Sequence, residues 1–124
     1  MTLLRLGLSL DAWLSGGLGL VLLAGGGLLS DALGISATFL WAVGGICLAY
    51  AAVLWLLQMS PISSAAAGWS VVVANSIWVA ASLLLLVLGP LQLTSLGDAF
   101  VVLQAFAVGS LACLQLVGVR RAGV

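Results

Sequence analysis

Charged residues are so rare in this chain that their positions decide what it can fold into. The charges are carried by three arginines and three aspartates, namely Arg5, Asp11, Asp31, Asp98, Arg120 and Arg121. They leave uncharged runs at residues 12–30, 32–97 and 99–119. A helix that crosses a hydrocarbon core of about 30 Å needs roughly 20 apolar residues. The first and last runs therefore predict one transmembrane helix each, and the middle run predicts two.

The resulting prediction is four spans, near residues 8–29, 37–57, 68–88 and 99–119. Composition supports it, because 65% of the residues are hydrophobic and only 5% are charged, against about 25% charged in soluble domains. We expect an all-α, polytopic membrane protein with one domain over residues 1–124. The first run is longer than the roughly 7–15 apolar residues of a signal peptide, so we expect it to be a span.

Basic residues predict the orientation in the membrane. Arg5, Arg120 and Arg121 all lie on the terminal side of the outermost spans. Because Arg and Lys near span ends stay on the cytoplasmic side, both termini are predicted to be cytoplasmic. Asp31 and Asp98 are then expected in the first and third loops, on the opposite side.

Local signals predict where the helices begin and end. Ser36 and Asp98 are expected to cap the second and fourth spans. The glycines at 25–27 are expected to fray or end the first span. Pro61 is expected to break the chain before the third span, and Gly89, which precedes a proline, is expected to end it.

An internal repeat is indicated when the sequence is shifted by 63 positions. Residues 10–58 then align with residues 73–121 without a gap, and eleven of the 49 pairs are identical. Each half contains two spans, so the repeat predicts two tandem parallel helical hairpins related by a pseudo-two-fold axis along the membrane normal.

The repeat also aligns small residues of the first and third spans. Ala12, Gly19 and Gly26 correspond to Asn75, Ser82 and Gly89. Small residues allow transmembrane helices to approach closely. We therefore expect the first and third helices to pack against each other through this seam, with the second and fourth helices outside them.

Most catalytic chemistry lacks the residues it needs. The chain contains no His, Lys or Glu, so His-based triads, zinc sites, haem ligation and Schiff bases are not expected. Cys47 and Cys113 form no Cys-x-x-Cys pair and are expected to be apolar packing residues. We predict no enzymatic activity, no metal, no cofactor and no nucleic-acid partner.

Asn75 is the main chemical clue, because it is an amide deep in an apolar segment. Such a residue in lipid either forms an interhelical hydrogen bond or belongs to a substrate or proton site. The repeat places Asp11 at a similar depth, and Arg120 and Arg121 are also within possible reach of Asp11. Trp78 and Ser82 follow Asn75 on the same helix face, and Trp78 either fills space or forms the wall of a pocket.

Gln104 and Gln115 share one face of the fourth span, and we expect this face to turn toward another subunit. The chain also resembles small, uncharacterised four-helix membrane proteins of bacteria. The resemblance is carried by Gln104, by Asn-Ser-Ile-Trp-Val-Ala-Ala-Ser at residues 75–82 and by Leu-Asp-Ala at residues 10–12. The resemblance implies the bacterial inner membrane but no activity. Small multidrug-resistance transporters differ, since they rely on a Glu in the first helix.

The function predicted from these features is that of a non-enzymatic membrane protein. It would act as a packing, accessory or hydrophobic-ligand-binding component, surrounded by membrane lipids and forming a homo-oligomer or part of a larger complex. The alternative is a small transporter or channel for a neutral or hydrophobic solute along the surface of Asp11, Asn75 and Trp78.

Overall fold

The computed structural model describes residues 3–59, 65–89 and 92–121, and these residues form four α-helices. The helices are α1 (Leu3–Leu33), α2 (Ala37–Met59), α3 (Ala65–Leu88) and α4 (Ser95–Arg121). All four are long and apolar enough to cross a membrane. The prediction of an all-α fold with four helices suited to span a membrane is therefore confirmed for the described residues. The predicted break at Pro61 lies outside the described residues.

The first helix is longer than its sequence pattern predicted. It has 31 residues, about 46 Å at 1.5 Å per residue, and it continues through the glycines at 25–27 that were expected to end it. Gly26 is buried against Trp41 of α2, so contact with a neighbouring helix supports this segment. As a consequence, Asp31 lies near the end of α1 and not in the loop.

The connection between α1 and α2 is a tight turn. Gly34 has a φ of 74°, and its N–H and that of Ile35 both donate to Ser30 O, at 2.9 and 3.2 Å. The side chain of Ser36 then accepts a hydrogen bond from the N–H of Phe39, at 3.2 Å. Ser36 is thus the N-cap of α2, as predicted.

Helix α4 is capped by Thr94, which was not the residue predicted from the sequence. Gly89 has a φ of 61° and ends α3, as predicted. Thr94 precedes α4, and its Oγ1 accepts from the N–H of Gly97 at 3.0 Å. Asp98, the predicted cap, lies inside the first turn, where its negative charge still suits the helix dipole.

The helices pack in the order α2, α1, α4, α3 among the described residues. Helix α1 packs closely against α2 and α4, and α3 packs closely against α4. The prediction that α1 and α3 form the central pair is therefore wrong, because α1 and α4 are central in this arrangement. The pairs α2–α3 and α1–α3 do not pack closely along their length.

The two ends of the bundle carry opposite charges. The start of α1 meets the end of α4, where Leu4 lies against Gly118, and this end carries all three arginines. The end of α1 meets the start of α4, where Thr94 Oγ1 donates to Ala32 O at 2.6 Å, and this end carries the two aspartates of residues 31 and 98.

The two hairpins exist, but the symmetry between them is not confirmed. Under the 63-residue shift, Gly34 aligns with Gly97, yet Gly34 ends α1 while Gly97 lies within α4. Similarly, Gly89 ends α3 while its partner Gly26 lies within α1. The turns therefore fall at non-equivalent positions of the two aligned halves.

Candidate functional site

Three buried polar side chains from three helices meet inside the bundle. Asp11 of α1 is 1% exposed, and Gln115 of α4 is fully buried. Asn75 of α3 donates from Nδ2 to Asp11 Oδ2 at 2.8 Å and to Gln115 Oε1 at 2.7 Å. Gln115 Nε2 donates in turn to Asp11 Oδ2 at 2.9 Å. We call Asp11, Asn75 and Gln115 the polar triangle.

Further groups complete the hydrogen bonding of the polar triangle. Tyr50 Oη of α2 donates to Asn75 Oδ1 at 3.0 Å. Ser15, one turn after Asp11, donates to Asp11 Oδ1 at 3.1 Å. Gln115 Nε2 also donates to the carbonyl of Gly7 at 3.2 Å. All four helices thus contribute, and no described buried side-chain N or O atom lacks a partner.

Within the described part of the chain, the hydrogen-bond partners of Asp11 are all neutral. Its carboxylate accepts from a hydroxyl and two amides, those of Ser15, Asn75 and Gln115. Arg120 and Arg121, which were considered as partners from sequence, are exposed in the last turn of α4. A buried carboxylate without a cationic partner is costly in lipid and is a functional-site candidate by default.

The helix positions place the polar triangle nearer to the arginine end. Gln115 lies six residues before the end of α4, or about 9 Å along the helix, and Asn75 lies ten residues after the start of α3, or about 15 Å. The polar triangle therefore lies nearer to the arginine end of the bundle than to the aspartate end.

A second polar group lies one turn farther along α3. Trp78 Nε1 donates to Gln104 Oε1 at 2.7 Å. Gln104 Nε2 donates to Ser82 Oγ at 2.9 Å and to Val101 O at 2.9 Å. Ser82 Oγ donates to Trp78 O within its own helix, at 2.8 Å. These contacts join α3 to α4 and explain why those two helices pack closely.

The predicted site residues therefore fall into two groups. Asp11 and Asn75 are in direct contact, as their similar depth predicted, whereas Trp78 and Ser82 contact Gln104 instead. Gln104 and Gln115 do share one face of α4, but that face turns into the same chain and not toward another subunit.

A cavity of about 500 Å³ lies against both polar groups. Its walls come from all four helices and are mostly apolar. The polar side chains that line it are Asp11, Ser15, Tyr50, Asn75, Trp78 and Gln104, with the thiol of Cys47. Ile46 and Leu103 also line it, and they are 57% and 69% exposed. The cavity therefore opens toward the side of the bundle, where lipid acyl chains would lie.

A second cavity of about 240 Å³ lies nearer to the aspartate end. It shares Leu18, Trp78, Phe100 and Gln104 with the first cavity. The hydrogen-bonded pair of Trp78 and Gln104 thus lies at the boundary of the two spaces. Trp78 is a pocket wall, which was one of the two roles considered for it.

The small residues of the predicted seam lie in other contacts. Ala12 is in a buried cluster with Leu54 and Val71. Gly19 lies against Gly44 of α2, and a Cβ at Gly19 would be 2.8 Å from that residue's carbonyl oxygen.

Gly26 lies against Trp41 of α2, whereas Gly89 is exposed and has nothing within 4 Å of its Cβ position. Gly19 and Gly26 therefore serve the α1–α2 interface and not an α1–α3 seam. The reason is physical, since glycine permits close approach to whichever helix is adjacent and does not select the partner.

Metal-binding geometry is absent from the part of the chain that the structure describes. No group of three or more His, Cys, Asp or Glu side chains comes together there. Cys47 is buried and Cys113 is exposed, and both are free thiols. What the site offers instead is a set of hydrogen-bonding groups at one end of an apolar space.

Comparison with known protein families, curated proteins and solved structures finds no match to this chain. The resemblance to small bacterial four-helix membrane proteins stays a prediction.

Two members of the site, Ser15 and Tyr50, were not predicted from the sequence. Gln115 was singled out, but its direction into the bundle was not predicted. Ser15 carries a signal, because a residue four positions after Asp11 shares its helix face. Tyr50 is the only tyrosine of the chain, and a buried hydroxyl needs a partner. The direction of Gln115 carried no such signal.

Proposed function

We propose that this protein is a non-enzymatic component of the bacterial inner membrane that binds a hydrophobic ligand inside its helical bundle. The observation that carries the proposal is the cavity of about 500 Å³ with apolar walls and a polar end. Small-molecule sites are concave, mostly apolar and roughly 300–1,000 Å³ in volume, with a few polar groups that orient the ligand.

The packing of the helices supports access from the lipid. Helices α2 and α3 do not pack closely along their length, and the cavity is lined by exposed apolar side chains such as Ile46 and Leu103. A ligand dissolved in the bilayer reaches such a space without crossing water. Asp11 and Asn75, the members of the polar triangle that line the cavity, then hold its head group.

Thermal unfolding in nanodiscs tests the proposal. An apolar ligand at ten times its Kd stabilises the folded state by about 1.4 kcal/mol. Ala107→Phe introduces a ring at a cavity wall and should abolish the stabilisation. Ala80→Phe places the same ring on an exposed position of α3 outside both cavities, so it controls for partitioning into lipid. Equal ligand responses of the two variants would contradict the proposal.

Orientation and assembly form part of the same proposal. Both termini are cytoplasmic, which is supported by the three arginines at one end of the bundle. Reporter fusions at the termini and at residue 92 would test this.

The protein is a homo-oligomer or part of a larger membrane complex, and native mass spectrometry from mild detergent distinguishes the two. The two hairpins descend from a tandem repeat, which the aligned identities support.

Transport of a neutral or hydrophobic solute is the second candidate function. The adjacency of the two cavities at Trp78 and Gln104 favours it, because together they extend along the bundle. Solute flux into liposomes that contain only this protein would support transport. Ligand-induced stabilisation without flux would support the binding function.

A further inference from the structure

We infer that the ligand of the large cavity is an alkyl chain that ends in an ammonium group with N–H donors. The inference rests on the proposed binding function and adds the chemical class of the ligand. It follows from which hydrogen-bonding positions at the cavity wall are already used and from the charge of Asp11.

Donor hydrogens at the polar end are already used by the protein. Ser15 donates to Asp11, Tyr50 donates to Asn75, and both Nδ2 hydrogens of Asn75 are donated, to Asp11 and Gln115. Hydroxyl and carbonyl oxygens keep lone pairs after such bonds form. The polar end therefore offers acceptors to a ligand and withholds donors.

The boundary with the second cavity follows the same pattern. Trp78 gives its N–H to Gln104, and Gln104 gives both amide hydrogens to Ser82 and Val101. The remaining polar group at the wall is the thiol of Cys47, which is a weak donor. A ligand whose head only accepts hydrogen bonds therefore finds no strong partner, and desolvation of that head is not offset.

The charge of Asp11 selects among ligands that donate. Its carboxylate lines the cavity. Among the described residues its partners are all neutral, and Oδ1 is bonded to Ser15 alone. An alkylammonium supplies N–H donors and the missing positive charge together, and a charge-assisted hydrogen bond is about twice as strong as a neutral one. An alcohol supplies the donor without the charge. The expected order of affinity is amine, then alcohol, then ketone.

The shape of the cavity sets the rest of the molecule. Asp11, Ser15, Tyr50 and Asn75 lie at one end, and the remaining walls are mostly apolar. With about 500 Å³ available, the cavity accommodates a single chain more readily than a whole two-chain lipid. The head would lie toward the arginine end of the bundle and the chain toward the opposite end.

A matched series of twelve-carbon probes tests the inference. Dodecylamine, 1-dodecanol and 2-dodecanone are titrated against the protein in phosphatidylcholine nanodiscs, and thermal unfolding is recorded. Phosphatidylcholine is chosen because its quaternary ammonium has no N–H. We expect dodecylamine to bind at least tenfold more tightly than 2-dodecanone, with 1-dodecanol between them. A further arm replaces part of the lipid with phosphatidylethanolamine, and competition there would identify a lipid as a source of the same ammonium chemistry.

Asp11→Asn is the decisive variant because it keeps the shape of the side chain. Its amide oxygen can accept from Asn75 and Gln115, and its amide nitrogen can donate to Ser15, so the polar triangle is retained. We expect the preference for dodecylamine over 2-dodecanone to fall at least tenfold. Ser70→Ala is the matched control, since this exposed hydroxyl bonds only to Ala66 O of its own helix.

Tyr50→Phe provides a second route if Asp11→Asn does not fold. It removes the hydroxyl but frees Asn75 Oδ1, to which that hydroxyl donated, so the wall still offers an acceptor beside Asp11. We therefore expect the preference for dodecylamine over 2-dodecanone to be retained, and its loss would contradict the role of Asp11. Equal affinity of the three probes for the unmodified protein would overturn the inference and leave the proposed binding function intact. Absence of stabilisation by all three probes would overturn both.

Discussion

Replacing Asn75 with Leu should strongly destabilise the bundle, because this amide joins three helices. The substitution removes the hydrogen bonds from Nδ2 to Asp11 and Gln115 and the bond from Tyr50 to Oδ1. Interhelical hydrogen bonds in membrane proteins average about 0.6 kcal/mol and reach about 1.7 kcal/mol. Three such bonds contribute about 2 kcal/mol.

Groups left without partners increase the effect. After the substitution, Gln115 Oε1 loses its donor and the Tyr50 hydroxyl loses its acceptor, and an unsatisfied buried polar group costs about 1–3 kcal/mol. We therefore expect Asn75→Leu to lower the free energy of unfolding by about 4 kcal/mol, with about 2 from the lost bonds and about 1 from each of the two unpaired groups. Reversible unfolding by titration with a denaturing detergent in mixed micelles measures this quantity.

The adjacent residue provides the control. Ser76 is exposed, and its hydroxyl donates only to Val72 O of its own helix, at 2.8 Å. Ser76→Ala should change the free energy of unfolding by less than about 0.5 kcal/mol, as is usual for surface substitutions. If Asn75→Leu were equally mild, the polar triangle would not hold the helices together. Loss of solute flux with unchanged stability would instead assign Asn75 to transport.

Two further predictions concern close packing and the boundary between the cavities. Gly97→Ala should destabilise by about 1–3 kcal/mol, because its Cβ would collide with the carbonyl of Leu33. Gly45→Ala should leave the midpoint of detergent-induced unfolding unchanged or move it to a slightly higher detergent concentration, since nothing lies within 4 Å of that Cβ position. Equal effects would contradict the close approach of α1 and α4. Trp78→Phe should cost about 0.6–1.7 kcal/mol by removing the donor to Gln104, and an unchanged unfolding midpoint would argue against that bond.

The spans could be read from the sequence because burial in lipid needs only length and low polarity. Turn chemistry was equally local, as the cap at Ser36 and the end of α3 at Gly89 show. Prediction was wrong where a contact with another helix decided the outcome, as at Gly26, which Trp41 supports inside a continuing α1.

Only half of the candidate site could be predicted. The sequence indicates how far along its helix a side chain lies, but it does not indicate which neighbouring helix that side chain points toward. Alignment of the repeat halves placed Asp11 and Asn75 at a similar depth, and the structure joins them at 2.8 Å. Gln115 was correctly placed on one face with Gln104, but the expectation that this face turns toward another subunit was wrong, because both side chains bond within the chain. The polar face of a helix in a soluble protein points toward solvent. These helices are apolar on nearly all sides, so the sequence shows no such face to orient them.

By itself, the sequence determined four apolar helices, the cap at Ser36, the end of α3 at Gly89 and the separation of basic from acidic ends, because these depend on local composition and on the thickness of the bilayer. Tertiary structure decided the order α2, α1, α4, α3, the convergence of Asp11, Asn75 and Gln115, and the cavity beside them. The reason is that lipid and protein interior are almost equally apolar, so hydrophobicity does not choose which faces meet. Close approach at glycines and the pairing of a few buried polar groups make that choice.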